Sequence, residues 1–390
     1  MKGKWLTAIV GLGFVAAACS TGGGGPTFSL PTAVGNGEGA LSILAWPGYA
    51  EDGSTDPAVD WVTSFETETG CQVTVKTFGT SDEGYRLFTD GDASAYDVIS
   101  ASGDASLRLV AGGYVQPVNT DLVPNYLDIF PSLKDKPWNT VDSVHYGIPH
   151  GRGANLLMWR TDIVAGDQDS WGLVFDANSP YKGKVTAYDA PIYIADAAVY
   201  LMATKPDLKI TNPYALDQAQ FDASVALLKE QRAVIGEYWS DYTKEMESFT
   251  NGNSVAGTTW QIITNLLQFQ DPPAPVKAVK PKEGATGWSD TWMINSKTKN
   301  INCAYKWLDH IVSPEANAAV AEWFGEAPAN QKSCGLTADP NHCTIFQAEE
   351  TDFWKNVYYW TTPTKKCLDG RGDICVGFDE WIKAWTEIKG

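Results

Sequence analysis

Residues 284–295 read Gly284-Ala285-Thr286-Gly287-Trp288-Ser289-Asp290-Thr291-Trp292-Met293-Ile294-Asn295. Glycines and a turn lead into an alternating run, which predicts a strand with Trp288 and Asp290 on one face. A ring beside a carboxylate can hold an organic cation: the ring face attracts positive charge and the carboxylate accepts its N–H bonds. The same pattern also describes an ordinary strand with a core tryptophan and a solvated aspartate. The flanking chain decides between them.

Upstream, strand and helix signals alternate. Leu41 to Trp46 is an apolar run ending at Trp46-Pro47-Gly48-Tyr49. Asp56-Pro57 supplies a cap and first-turn pair for a helix carrying Val59, Val62 and Phe65 and stopped by Gly70. Gln72 to Phe78, a helix opened at Ser81, the strand Asp97 to Ser100, and a helix over Ala105 to Ala111 follow. A β-α-β-α-β series predicts a mostly parallel sheet covered by helices, with ligands beyond the strand carboxyl ends. Trp46, Tyr49, Ser102 and Asp104 fall there. The Gly-rich run Val144 to Trp159 reads as the first crossing between two lobes. A second βα region follows, with a strand ending at Asp189, a helix over Asp217 to Arg232, Trp260 at a helix start, and a strand at Val276 to Val279. The chain returns at Trp288. Helices at Ala304 to Ile311 and Glu315 to Phe324 rejoin the first lobe, and Asp379 to Ile388 ends the chain with Trp381 and Trp385 at i, i+4.

The first 18 residues read as an export signal, with Lys2 and Lys4 before a short apolar core. Ala16-Ala17-Ala18-Cys19 looks like a bacterial lipobox, which would make Cys19 a lipidated N-terminus; an ordinary signal cleaved after Ala18 is the alternative. Glycine- and proline-rich residues 19–40 predict a flexible tether to the membrane. The remaining 350 or so residues suit two lobes: 41–149 and 288–345 for the first, 150–287 for the second, and 346–390 as a disulfide-bearing helical tail. Removing Lys2 and Lys4 takes the net charge from −18 to −20. That field excludes nucleic acid as a partner and suits a cationic ligand.

Cys19 apart, six cysteines remain, an even number in an exported chain, and six allow 15 pairings. Proximity favours Cys334–Cys343 and Cys367–Cys375, leaving Cys71–Cys303. A structural zinc site is the alternative, but the spacings lack paired C-x-x-C knuckles. No G-x-S-x-G, H-E-x-x-H, P-loop or G-x-G-x-x-G motif is present. Catalytic residues, metals and cofactors are therefore not expected. Two carboxylates of a carbohydrate-active hydrolase, or a sugar-binding lipoprotein with stacked tryptophans, are the rival readings. Arg371-Gly372-Asp373, between two cysteines, reads as a turn.

Taken in order, several of these pieces resemble the spermidine/putrescine-binding family of ABC-importer solute-binding proteins over about residues 41 to 335. They are Trp46 with Tyr49, Thr67-Glu68-Thr69-Gly70, Tyr96-Asp97-Val98, Tyr146-Gly147-Ile148-Pro149, Trp288 with Asp290, and Gly325-x-x-Pro328-x-Asn330. The resemblance implies a two-lobed α/β fold of the periplasmic-binding-protein type (type II), hinged between the lobes. It also implies a monomer at the outer face of the cytoplasmic membrane or in the periplasm, passing a small amine to permease subunits. It marks Trp46, Tyr49, Ser102, Asp189, Trp260, Trp288 and Asp290 as ligand contacts. Asp104 and Glu326 stand where the family has tyrosines, Gly48 and Ile192 where it has acids, and Arg152 where it has an aromatic. Arg152 would receive a ligand carboxylate or neutralise Asp189 or Asp104.

Overall fold

A computed structural model describes residues 30–92 and 94–390. The leader and Cys19 lie outside the described residues. Sixteen strands are described: β1 (Ala40–Ala45), β2 (Gln72–Thr77), β3 (Val98–Ala101), β4 (Thr140–Val141), β5 (Val144–His145), β6 (Gly147–Pro149), β7 (Gly151–Ala154), β8 (Leu156–Arg160), β9 (Val185–Tyr188), β10 (Ile235–Trp239), β11 (Ala256–Thr259), β12 (Val276–Val279), β13 (Ala285–Trp288), β14 (Thr291–Ile294), β15 (Ala327–Pro328) and β16 (Val357–Tyr359).

Two five-stranded sheets define the lobes, in the orders β2-β1-β3-β14-β6 and β10-β9-β11-β8-β12. In the first, β2, β1 and β3 run parallel, as the alternating strand and helix signals predict, while β14 joins antiparallel. The apolar run of β1 follows from this placement, because a parallel strand between helical layers buries both faces. Each lobe has its own core, one around Leu41, Phe65, Trp292 and Trp307, the other around Trp159, Trp171, Trp239 and Trp381.

A third sheet, β15-β7-β13-β16, joins the lobes. The chain leaves lobe 1 through β6 and β7, returns through β13 and β14, and passes a third time through β16. The final helix, Phe378–Lys389, then buries Trp381, Trp385 and Ile388 in the lobe 2 core. Residues 346–390 are therefore a third crossing and a lobe 2 element rather than an appended tail.

Local sequence explains most element ends. Gly70 closes the helix Val62–Thr69 in the left-handed conformation, and Asp217 with Gln220 forms a capping box on Gln218–Gln231. The helix expected from Asp56 starts later. Asp56 Oδ1 accepts from Ala58 N in a local turn, and Asp52 bridges Asp60 before the helix begins. The expected tether is also shorter than 19–40. Gly35 N donates to Asn302, Asn119 donates to Pro31 O, and the Glu38 carboxylate accepts from Asn302 N and Cys303 N. Residues from about 31 onward are thus docked on lobe 1. Arg371 of the Arg-Gly-Asp turn is pinned by Asp369, Asp217 and the Ala215 carbonyl, which does not suit an adhesion loop.

All three proposed disulfides are formed: Cys71–Cys303, Cys334–Cys343 and Cys367–Cys375. The first spans 232 residues and ties the start of β2 to the helix Ile301–Ile311. Closing so long a loop restricts the unfolded chain most. Replacing Cys71 and Cys303 together by serine should cost roughly 2–5 kcal/mol in chemical denaturation, whereas the same change at Cys334 and Cys343 should cost less. Equal losses would contradict the loop-closure argument.

Candidate functional site

The alternating stretch that suggested one strand is two. β13 ends at Trp288 in the hinge sheet, and β14 begins at Thr291 in lobe 1. Ser289 and Asp290 form the joint between them, so Asp290 sits where the second crossing enters lobe 1. His150 occupies the same place in the first crossing, between β6 and β7, and Glu326 directly precedes β15. His150 N donates to the Asp290 carbonyl, and the three side chains meet under Tyr49.

The Tyr49 hydroxyl donates to Asp290 Oδ2 at 2.9 Å and lies 3.4 Å from Glu326 Oε2. Glu326 Oε1 is 3.3 Å from His150 Nδ1. All four residues are buried. Burial pushes the Asp290 carboxyl up to about 6, against the downward pull of the Ser102 and Tyr49 hydroxyls. Burial and the nearby Asp290 hold Glu326 well above the usual carboxylate range, and burial lowers His150 to about 3. Asp104 is raised to about 7 by burial and by Asp82. One oxygen each of Asp290 and Asp104 meets no donor in hydrogen-bonding geometry among the described residues. This is a buried acid layer with neutral donors around it.

Glycine makes the layer possible. A Cβ on Gly151 would stand 2.2 Å from the Glu326 carboxyl carbon, and one on Gly153 would stand 2.3 Å from the Trp288 ring. The Gly-Arg-Gly run of β7 therefore lets an acid and an indole lie flat on its backbone.

Above this layer, between the lobes, is a cavity of about 730 Å³. Lobe 1 lines it with Trp46, Glu51, Phe78, Glu83, Trp323 and Phe324, and lobe 2 with Asp241, Tyr242 and Trp260. No Lys, Arg or His lines it among the described residues. The rings fall in two groups: Trp46 lies 4.7 Å from Phe78, and behind the opposite wall Tyr49 lies 4.3 Å from Phe324, Phe324 5.8 Å from Trp288, and Trp288 6.3 Å from Trp260.

Of the ten residues the sequence points to, Trp46 and Trp260 line this cavity. Tyr49, Ser102, Asp104, Trp288, Asp290 and Glu326 are buried beneath or beside it. Two stand apart. Asp189 accepts from Lys389 Nζ at 2.7 Å and Trp385 Nε1 at 2.9 Å, so its charge is taken by the final helix. Arg152 neutralises neither Asp189 nor Asp104. It donates to the Ala348 carbonyl at 2.6 Å and to Ser132 at 3.2 Å, with its guanidinium 4.1 Å from the Trp354 ring centre. It fastens the third crossing. Glu51, Phe78, Glu83, Asp241, Tyr242, Trp323 and Phe324 escaped sequence reasoning. Two carried a legible signal, Glu83 and Asp241, since each sits at a helix start just past a strand.

Two lobes on parallel-rich sheets, joined by three crossings around a ring-and-carboxylate cleft, define the architecture of a hinged small-molecule receptor. The model of the bacterial extracellular solute-binding protein family matches residues 60–342, and the chain belongs to that family. Its members bind and carry solutes and are not enzymes. Spermidine/putrescine-binding periplasmic protein 1 of Haemophilus influenzae is 25% identical over 84% of this chain and 86% of its own length. The putrescine-binding periplasmic protein PotF of Escherichia coli is 24% identical over 86% of both chains. Among solved structures, the spermidine/putrescine substrate-binding protein PotD of Streptococcus pneumoniae superposes with a TM-score of 0.68 at 18% identity, covering 90% of this chain and 99% of that one. A GABA receptor, Atu4243, superposes at 0.66 with 20% identity, covering 90% and 98%. The fold is shared across receptors of different ligands, so the cleft itself has to specify the solute.

The buried acids predict a pH dependence. Asp290 and Asp104 keep their protons in the fold to about 6 and 7, whereas an unfolded aspartate ionises near 4. Between those values the unfolded chain binds fewer protons, so stability falls as pH rises from about 4 to 7. Calorimetry of the unliganded protein should give a higher Tm at pH 5 than at pH 8, and Asp290→Asn should reduce that difference. A Tm that rises with pH, or an unaltered slope in the variant, would contradict it.

Proposed function

We propose that this protein is an extracytoplasmic lipoprotein receptor of an ABC importer. It captures a polyamine or a related small organic cation between its lobes and presents it to the permease. One observation carries the reading: the inter-lobe cavity is walled by six aromatic side chains and three carboxylates, with no basic group among the described residues. A cation gains from ring faces and from carboxylates together. A neutral sugar also stacks on tryptophan, but it has no use for three surrounding carboxylates above a buried acid layer, so a carbohydrate receptor is disfavoured. The names of the relatives point the same way.

Asp290 is the inner counter-charge of this proposal. It is only 3% exposed, so an amine reaches it when the lobes part, and hinge motion belongs to binding. An ammonium arriving at its unpartnered oxygen favours the ionised form of Asp290 and displaces the proton it holds below about pH 6. The lipid anchor at Cys19, a monomeric state and a place at the outer face of the cytoplasmic membrane complete the reading. They rest on the lipobox-like sequence and on the resemblance.

Titration calorimetry with putrescine and spermidine tests it. Binding to the wild type should weaken from pH 8 to pH 5.5 as the acids protonate. Asp290→Asn should lose about 30-fold or more, since breaking one partner of a buried charge pair typically costs about 2–5 kcal/mol. Melting of the unliganded variant should be unchanged or higher. A preference for neutral sugars, or wild-type amine affinity in the variant, would overturn the proposal.

A second test concerns the ring wall. Trp46→Ala should lower amine affinity roughly 30-fold, the scale of about 2 kcal/mol for a desolvated cation over a ring. Its far-ultraviolet dichroism should stay that of the wild type. An unfolded variant would instead make Trp46 a core residue, in keeping with its contact to Phe78.

A further inference from the structure

Trp260 is a cleft ring held from the hinge. Its indole Nε1 donates to Asn155 Oδ1 at 2.9 Å, Asn155 Nδ2 donates to Thr286 Oγ1 at 2.6 Å, and the Thr286 hydroxyl donates to Asp196 Oδ1 at 2.8 Å. Asn155 is the joint between β7 and β8 in the first crossing, Thr286 lies in β13 of the second, and Asp196 lies in the helix Ile194–Thr204 of lobe 2. The backbones of the two crossings meet at the same point, where Asn155 N donates to Thr286 O at 2.9 Å. Asn155, Thr286 and Asp196 are all buried. The chemistry of these groups permits only one direction. An indole N–H can only donate, so the amide atom facing it is the oxygen. The Asn155 amide nitrogen must then face Thr286, whose oxygen accepts and whose proton is left for Asp196. Three donors in series end on one carboxyl, and each fixes the orientation of the next. The fold does not demand this of an indole: the nitrogens of the core residues Trp159, Trp292 and Trp307 meet no acceptor among the described residues. Trp260, by contrast, is half-buried and lines the cavity.

We propose that Asn155 and Thr286, backed by Asp196, are positioning residues that hold the Trp260 indole in the orientation it has in the cavity wall, and so set solute affinity without touching the solute. The inference rests on the amine-receptor reading and goes beyond it by naming the residues that fix the ring. The attraction of a cation to an indole depends on which face the ring presents. A half-turn of the ring about its own side-chain axis would carry Nε1 away from Asn155 and break the series, so the series opposes that turn. A ring already fixed also has less freedom to lose when a solute settles on it. Because the holding groups belong to the first two crossings, the ring is oriented by the hinge sheet as well as by the lobe 2 helix it starts.

Titration calorimetry with putrescine tests this as a double-mutant cycle. Asn155→Leu, close in shape but without an acceptor, should lower affinity roughly three- to tenfold, the scale of one hydrogen bond. Trp260→Phe keeps a ring without the N–H and should lose at least as much. Adding Asn155→Leu to Trp260→Phe should then change affinity by about twofold at most, because the bond it removes is already gone. Thr286→Val, one link further from the ring, should repeat the pattern and takes the place of Asn155→Leu if that variant does not fold. Thr286→Ser, which keeps the hydroxyl, should recover most of the loss. Melting curves check that each variant is folded. Equal losses in the wild-type and Trp260→Phe backgrounds would mark a merely structural role and overturn the proposal, as would wild-type affinity in folded Asn155→Leu; either leaves the amine-receptor reading standing. No binding of any amine by the wild type overturns both.

Discussion

Everything about this molecule turns on placing carboxyl groups in a dry hinge where, among the described residues, no lysine or arginine hydrogen-bonds to them and the one imidazole at hand is His150. Ionised carboxylates in such a place are costly, and the fold answers with neutral donors and retained protons. Tyr49 gives its hydroxyl to Asp290, burial and the nearby Asp290 hold Glu326 well above the usual carboxylate range beside a His150 lowered to about 3, and Asp104 keeps its proton to about 7. The first two crossings supply His150 and Asp290 to this cluster, so the geometry that connects the lobes also gathers the acids. Under the proposed function, a cation entering there would draw a carboxyl into its charged form, tying binding and proton release to one electrostatic constraint.

The architecture was largely readable from the chain. The apolar run of β1, the Thr-Glu-Thr-Gly stop at Gly70, and the Gly-rich segment around Gly151 and Gly153 are local signals, and they marked their elements because propensity and pattern agree there. Where they failed, a tertiary contact had won. Asp56-Pro57 looks like a helix start but closes a turn onto Ala58 and Val59, and the bridge of Asp52 to Asp60 holds the chain off the helix until Val62. Residues 31–40 look like tether but dock through Glu38 on the helix at Ile301. The Trp288–Asp290 alternation reads as one strand, yet the chain changes sheets between those residues, which no period of two can reveal.

The site was legible in its chemistry more than in its membership. Tyr49 meets Asp290, and Trp288 packs on Phe324 beside it, but all three lie in the buried layer rather than on the cavity wall. Asp189 and Arg152 were drawn into the reading by sequence position, and each is claimed by a partner some 196 to 200 residues away in the third crossing or the final helix. The outer acids escaped as a group because Glu51 lies in a loop, Glu83 in the first turn of a helix and Asp241 at a helix cap, and only the packing of two lobes brings them to one mouth.

Under the proposed function this ring-and-carboxylate cleft holds an organic cation. A crystal structure of the mature protein grown with spermidine tests it most directly. The amine should lie between the lobes, with a nitrogen within hydrogen-bonding distance of Asp290 and its alkyl chain against Trp46 and Trp260. Spermidine absent from the cleft at saturating concentration, or seated there away from Asp290 and from the aromatic wall, would contradict it.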